Sequence, residues 1–356
     1  MNFMVAVSIK KLSMAVTLNL AKISLPLTVV VILGLTCLKA QAALFVTGFG
    51  NQSVLRYDET TGEFIDTFVP AGSGGLALPI DIAFGPDNNL YVVSSFGDNS
   101  ILRYNGTSGA FIDAFVPNGS GGLSLPFGLT FGPDNNLYVV SRDSNSILRY
   151  NGTTGAFIDA FVPSGSGELE EAAGITFGSD NNLYIGNEGS NPIARYSGMT
   201  GAFIDAFVSS GSGGLSDPAG ITFGPDGNLY ISDEENSRIL RYNGTTGAFI
   251  DVFVSQGSGG LGNAADLTFG PDNNLYINNF NSNLNISNVL RYSGTTGAFI
   301  DTFVPNSSGG LSIPIGLTFS ATSTSASVPE LSSTLGLLVL GAWGAASQVK
   351  NKRRTQ

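Results

Sequence analysis

At 356 residues the chain is long enough for one large domain with targeting segments at both ends. Between Ala43 and Pro329 it carries 26 Asp/Glu against eight Arg and no Lys, a formal charge of −18. Such a surface repels phosphate backbones, so nucleic acid is not an expected partner; calcium, other cations or a basic partner suit it better. There is no His, and the only Cys (Cys37) and only Trp (Trp343) lie in the terminal segments. Disulfides, Cys/His zinc sites, Ser-His-Asp triads and Schiff-base lysines are thereby excluded from the middle of the chain.

Residues 1–42 have the layout of a secretory signal peptide. Lys10, Lys11 and Lys22 precede the apolar run Leu25 to Leu38, and Ala40-Gln41-Ala42 supplies a small-x-small cleavage site before Ala43. An uncleaved anchor is the alternative. A lipoprotein reading through Cys37 is weaker, because Thr36 is a poor residue before a lipidated Cys.

Self-similarity governs residues 43–320. The Arg of a Leu/Ala-Arg-Tyr triplet recurs at Arg56, Arg103, Arg149, Arg195, Arg241 and Arg291, at intervals of 47, 46, 46, 46 and 50. Each unit holds four short runs of β-branched, aromatic and aliphatic residues. In one unit these are Gly128 to Phe131, Asn136 to Val140, Ile147 to Tyr150 and Ala156 to Val162, separated by Gly/Pro/Asn/Asp turns. Four strands per unit and six units predict an all-β, six-bladed β-propeller of four-stranded antiparallel blades. A β-solenoid competes, but its coils are usually shorter and do not carry two tight hairpin turns each. The phase of the repeat favours the propeller. Leu44 to Gly48 matches a second strand and Ile315 to Phe319 a first, so the closing blade is shared between the two ends of the domain, which hides strand edges. The aromatics Phe84, Phe131, Phe177, Phe223, Phe269 and Phe319, with Tyr91, Tyr138, Tyr184, Tyr230 and Tyr276, are expected in the core.

The run from Pro218 through Asp226-Gly-Asn, Asp233 and Asn236-Ser-Arg238-Ile239 resembles the NHL repeat, although Ser237 replaces that motif's His. The other units keep the turn and lose Arg238. The resemblance covers about Ala43 to Ser320 and implies the propeller fold. It says little about activity, because NHL-like propellers include protein binders, RNA binders, lyases and lactonases.

Several repeated motifs have structural readings. The turns around Asp87, Asp134, Asp180, Asp226 and Asp272 lack the alternating ligand spacing of a calcium loop and suit hairpin turns. The sequons at Asn105, Asn151 and Asn243 are read as hairpin turns before glycosylation sites. Arg103 falls nearly opposite Asp113, and the pair recurs with Asp66, Asp159, Asp205, Asp251 and Asp301. A catalytic residue should occur once, so these are cross-strand pairs. The Gly-Ser-Gly-Gly-Leu segments are blade-to-blade connections with no following helix, hence no phosphate loop. Informative residues are those that break the repeat. The loops after the second strands place Asp143, Glu188, Asp233, Glu234 and Glu235 on one variable face, as candidate binding residues. Glu168, Glu170 and Glu171 in one connection, and Asp81, Asp217 and Asp266 beside first strands, add carboxylates. Convergence of these near the axis could hold a divalent cation such as Ca²⁺, as resemblance to lactonase-type propellers would imply; solvated loop acids are the other reading, and no cofactor is required.

At the C-terminus a Ser/Thr linker (321–327) precedes Val328-Pro329-Glu330-Leu331, the apolar stretch Leu331 to Val349, and a basic tail with Lys350, Lys352, Arg353 and Arg354. Nineteen residues just suffice to span a bilayer with the positive tail cytoplasmic. Motif, span and tail (328–356) resemble the PEP-CTERM sorting signal, with Leu331 where the family has a second Pro. A plain single-pass anchor is the alternative. The resemblance implies an exosortase-like processing enzyme as partner and membrane contact through this segment only. The expected function is an exported, envelope-associated, non-enzymatic binding or scaffold protein of the cell surface or exopolysaccharide matrix, with a protein, glycan or cation as ligand. The alternative is a metal-dependent lactonase- or lyase-like hydrolase. Absence of His argues against the streptogramin-lyase kind, and near-identity of the units argues against an enzyme.

Overall fold

The computed structural model describes residues 42–167, 169–188 and 192–320. The expected signal peptide (apart from Ala42), the linker and the sorting signal lie outside them. Among the described residues, no helix is long and apolar enough to cross a membrane.

The strands form six four-stranded antiparallel sheets, and these are the blades of a propeller. Blade 2 shows the pattern from axis to periphery: Pro79–Phe84, Leu90–Ser94, Ser100–Tyr104 and Phe111–Val116. The inner strands of blades 3 to 6 are Pro126–Phe131, Ala172–Phe177, Pro218–Phe223 and Asn263–Phe269. In blade 1 the inner strand is the C-terminal Pro314–Phe319, paired with Ala43–Gly48, so the ring closes on a shared blade. Val46 faces Leu317 and Leu44 faces Phe319, and the Ser320 amide donates to the Ala43 carbonyl at 2.9 Å.

Local chemistry explains the hairpins. In the turn after the inner strands of blades 2 to 6 an Asp accepts the amide two residues on; Asp134 takes Asn136 N–H at 3.1 Å. Asn135, at φ 60°, occupies the left-handed position such a turn needs, and Asn tolerates it. The other Asp134 carboxylate oxygen accepts the Tyr138 hydroxyl at 3.1 Å. The second strands are covered on both faces, which is why Leu137–Ser141 is buried throughout.

Blades are joined by aromatic edge-to-face contacts. Tyr91 lies 4.9 Å from Phe115 of its own blade and 4.9 Å from Phe131 of the next. The same triad is formed by Tyr138, Tyr184, Tyr230 and Tyr276, and by Phe45 in blade 1. A second tyrosine, on each third strand, ties down the incoming connection: Tyr150 donates to the Ser120 carbonyl at 2.8 Å. These connections contain a feature that the sequence reading did not include. Five of them make a single 3-10 turn, as at Ser120–Gly122, in which Gly121 at φ 62° packs against the Phe157 ring. The Arg–Asp pairs have the expected register. Arg103 faces Asp113, binds it through Nε at 3.1 Å and Nη2 at 2.6 Å, and stacks 4.7 Å over Phe115.

Removing residues 314–320 deprives Ala43–Gly48 of its inner neighbour and uncovers Leu44 and Val46. The expected result is a fall of at least about 10 °C in the melting midpoint, followed by circular dichroism; an unchanged midpoint would contradict closure through this strand.

Candidate functional site

A cavity of about 690 Å³ opens along the axis on the face carrying the second-strand loops and the blade-to-blade connections. Its depth comes from a repeated irregularity. In each blade the ladder between first and second strands slips by one residue: Pro79 faces Ser94, yet Ile82 faces Val92. The same bulge occurs in the other five blades. It brings two consecutive residues of every inner strand to the cavity wall.

The deeper of these positions is Gly316, Asp81, Gly128, Gly174, Gly220 and Asp266, in blades 1 to 6. Glycine is needed where neighbouring backbones meet. A Cβ on Gly128 would sit 2.4 Å from the Ala173 carbonyl oxygen, and one on Gly220 would sit 2.7 Å from a carboxylate oxygen of Asp266. The two aspartates bridge blades. Asp81 accepts the Ile82 amide at 2.7 Å and the amide of Leu129, one blade on, at 2.8 Å. Asp266 accepts the Leu267 amide at 2.8 Å and the amide of Leu317, on the closing strand, at 3.4 Å. Burial pushes both carboxyls well above the ordinary value of 3.8. Asp266 is raised further by the charge of Asp81, and the backbone amides oppose the rise without cancelling it.

The shallower wall position is Ile315, Ile80, Phe127, Ala173, Ala219 and Ala265. Blades 1 to 3 thus present bulk, and blades 4 to 6 leave room. Above this lies the residue following the second strand in blades 1 to 5, Phe49, Ser95, Arg142, Glu188 and Glu234; in blade 6 that strand runs on to Asn281 and the equivalent residue is Phe280. Arg142 and Glu188 form a two-pronged ion pair between blades 3 and 4, and the guanidinium lies 4.6 Å over Phe127. Glu234 accepts the Asn263 side-chain amide at 2.8 Å, and desolvation first, then the charges of Asp217 and Glu188, raise its carboxyl. Phe96 stands at the mouth, half exposed, edge-on to Phe49 at 6.1 Å. Its φ of 52° is a left-handed backbone that a bulky side chain rarely adopts.

The NHL-repeat family model matches residues 215–242, the first three strands of blade 5 with the end of the connection before them. The chain is a six-bladed β-propeller with an NHL repeat in blade 5. No curated protein matches the sequence. Among solved structures, a chain of a nidogen/laminin complex is 18% identical with a TM-score of 0.61, covering 79% of this propeller chain and 99% of that one. A protein of unknown function from Bacteroides caccae is 14% identical with a TM-score of 0.58, covering 78% and 98%. A gluconolactonase from Xanthomonas campestris is 18% identical with a TM-score of 0.54, covering 67% and 80%. At these identities the likeness is one of fold alone.

The propeller separates the five candidate loop acids. Glu188 and Glu234 line the cavity. Asp143 and Glu235 are exposed outside it, each accepting a serine hydroxyl of the adjoining connection, from Ser124 and Ser216 respectively. Asp233 is fully buried and pairs with Arg238 at 2.8 Å. Its position explains this. In blades 2, 3, 4 and 6 Ser94, Ser141, Asn187 and Asn279 occupy the same place and accept an amide of the connection, as Asp233 does from Ser216. Among the second group, Asp81, Asp217 and Asp266 line the cavity; Glu170 and Glu171 do not, and Glu168 lies outside the described residues. Among the described residues, no three His, Cys, Asp or Glu converge as a metal site. Sequence reasoning did not single out Arg142, Phe96 or Phe127. Aligning the units position by position would have shown the first and last, since each stands at a variable place in otherwise repeated strands.

Two outcomes follow. Asp233→Ala leaves Arg238 without its carboxylate and should cost about 3 kcal/mol in urea unfolding, whereas Glu235→Gln should stay within about 0.5 kcal/mol. Because folding raises the Asp266 carboxyl, its favourable contribution is complete below the ordinary carboxylate value and is lost as pH rises through the raised folded value. Asp266→Asn, which keeps an acceptor without the charge, should therefore match the parent's melting midpoint near about pH 4 and exceed it near about pH 8.

Proposed function

We propose that this chain is an exported, envelope-associated binding propeller that recognises a partner with its cavity-bearing loop face and catalyses no reaction. One observation carries the reading. The core aromatics, Asp turns and Arg–Asp pairs recur blade after blade, whereas the wall of the axial cavity differs from blade to blade. Asymmetry is what a single ligand requires, and here it is gathered at one mouth. The residues that supply it are carboxylates, one arginine and apolar side chains, with no imidazole, thiol or amine to act as nucleophile or base. A propeller of this fold in a nidogen/laminin complex is consistent with protein recognition, but the likeness is too distant to name a partner.

A hydrolase is the second reading, favoured by Asp81 and Asp266, two enclosed carboxyls with raised proton affinity. Both readings face one experiment. Envelope fractions are cross-linked to the purified chain and to its Asp143→Lys/Glu235→Lys variant, altered only at exposed positions of the face. In parallel, a lactone panel is assayed with Ca²⁺, Mg²⁺ or Mn²⁺. The binding reading expects a product formed by the parent and lost in the variant, with no lactone turnover. Identical products from both chains, or turnover abolished by Asp81→Asn, would overturn it.

A further inference from the structure

We infer that the axial cavity takes a lysine or arginine side chain from an extended, largely apolar segment of a partner protein. This rests on the binding reading above and deepens it. The wall is divided in character. On blades 1 to 3 it is bulky and apolar, with Ile315, Ile80 and Phe127 inside and Phe96 at the mouth. On blades 4 and 5 it is acidic, with Glu188, Asp217 and Glu234 above the small side chains of Ala173 and Ala219.

Charge selects the ligand's sign. Glu188, Asp217 and Glu234 line the cavity against the single Arg142, which is already paired with Glu188, and the enclosed carboxyls of Asp81 and Asp266 lie below them. Entry of an anion would add to an unbalanced negative field, and entry of a cation would relieve it. The acids are spread around the wall, and no three are grouped to coordinate one metal ion among the described residues, so a diffuse organic cation fits better than a bare divalent one. Volume selects its body. About 690 Å³ lies within the range that encloses a drug-sized ligand, far more than an ammonium group fills. The methylene stem of a basic side chain would lie along Ile80, Phe127 and Ile315, as such stems do on apolar surfaces, and neighbouring apolar residues would meet Phe96. The aromatic rings offer the cation a second attraction.

The test uses the full chain in detergent and calorimetry with blocked pentapeptides, Gly-Leu-Lys-Leu-Gly and Gly-Leu-Arg-Leu-Gly. Controls replace the central residue by norleucine or glutamate, and spermidine and calcium chloride are titrated separately. The basic peptides should bind at least about tenfold more tightly than the norleucine control. Glu234→Gln with Asp217→Asn should weaken them about fivefold or more, and Ala219→Leu should block them by filling the space beneath the acids. Melting curves confirm that each variant is folded, and the near-isosteric Glu234→Gln serves if Ala219→Leu is not. Equal binding of basic, neutral and acidic peptides, spermidine binding as tightly as the peptides, or calcium displacing them at one equivalent would overturn the inference. If the peptides fail while the cross-linked product still depends on Asp143 and Glu235, the inference falls and the binding reading stands. If the product is also absent, both fall.

Discussion

The edge-to-face contact between one blade's second-strand aromatic and the next blade's inner-strand phenylalanine sets the geometry of the whole ring. Each such pair contributes about 0.5–1.5 kcal/mol beyond its buried area, and the triad recurs in every blade, including the closure from Tyr276 to Phe319. Because it holds the blades at one spacing, it determines how closely the inner strands approach at the axis. Gly128, against the Ala173 carbonyl, and Gly316, against that of Ile80, follow from that approach. Gly220 also leaves the room that the Asp266 carboxylate of the next blade occupies.

Charge follows the same division between repeated and singular. Six arginines pair with aspartates on the outer strands, Arg238 pairs with Asp233, and Arg142 pairs with Glu188. The outer pairs are partly exposed and each contributes little to stability, at most about 1 kcal/mol. Their larger consequence is that all eight arginines of the propeller have internal partners, so its excess of carboxylates faces outward or into the cavity. A basic partner meets a field with no competing cation.

The fold was legible because a propeller's information is local and repeated. Period, hairpin turns and the phase of the first and last strands all follow from residues close in sequence, and the register of Arg103 with Asp113 could be counted across one hairpin. The site was legible only in part. Glu188 and Glu234 were found because their loops vary. Asp233 came from the same loop and is structural, since it performs the amide-accepting task that Ser94 and Asn279 perform elsewhere. Phe127 was hidden among apolar strand residues, because nothing in its own strand distinguishes a side chain facing a cavity from one facing a neighbouring blade.

From composition and periodicity alone came the number of blades, the shared closing strand, the acidic character and the exclusion of histidine, thiol and amine chemistry. These depend on residue identity and on spacing within a unit. Tertiary structure decided which carboxylates share a cavity. Asp81 and Asp266 are far apart in the chain, yet the charge of Asp81 raises the Asp266 carboxyl, because closing the ring through blade 1 brings the inner strands of blades 2 and 6 within reach of one another.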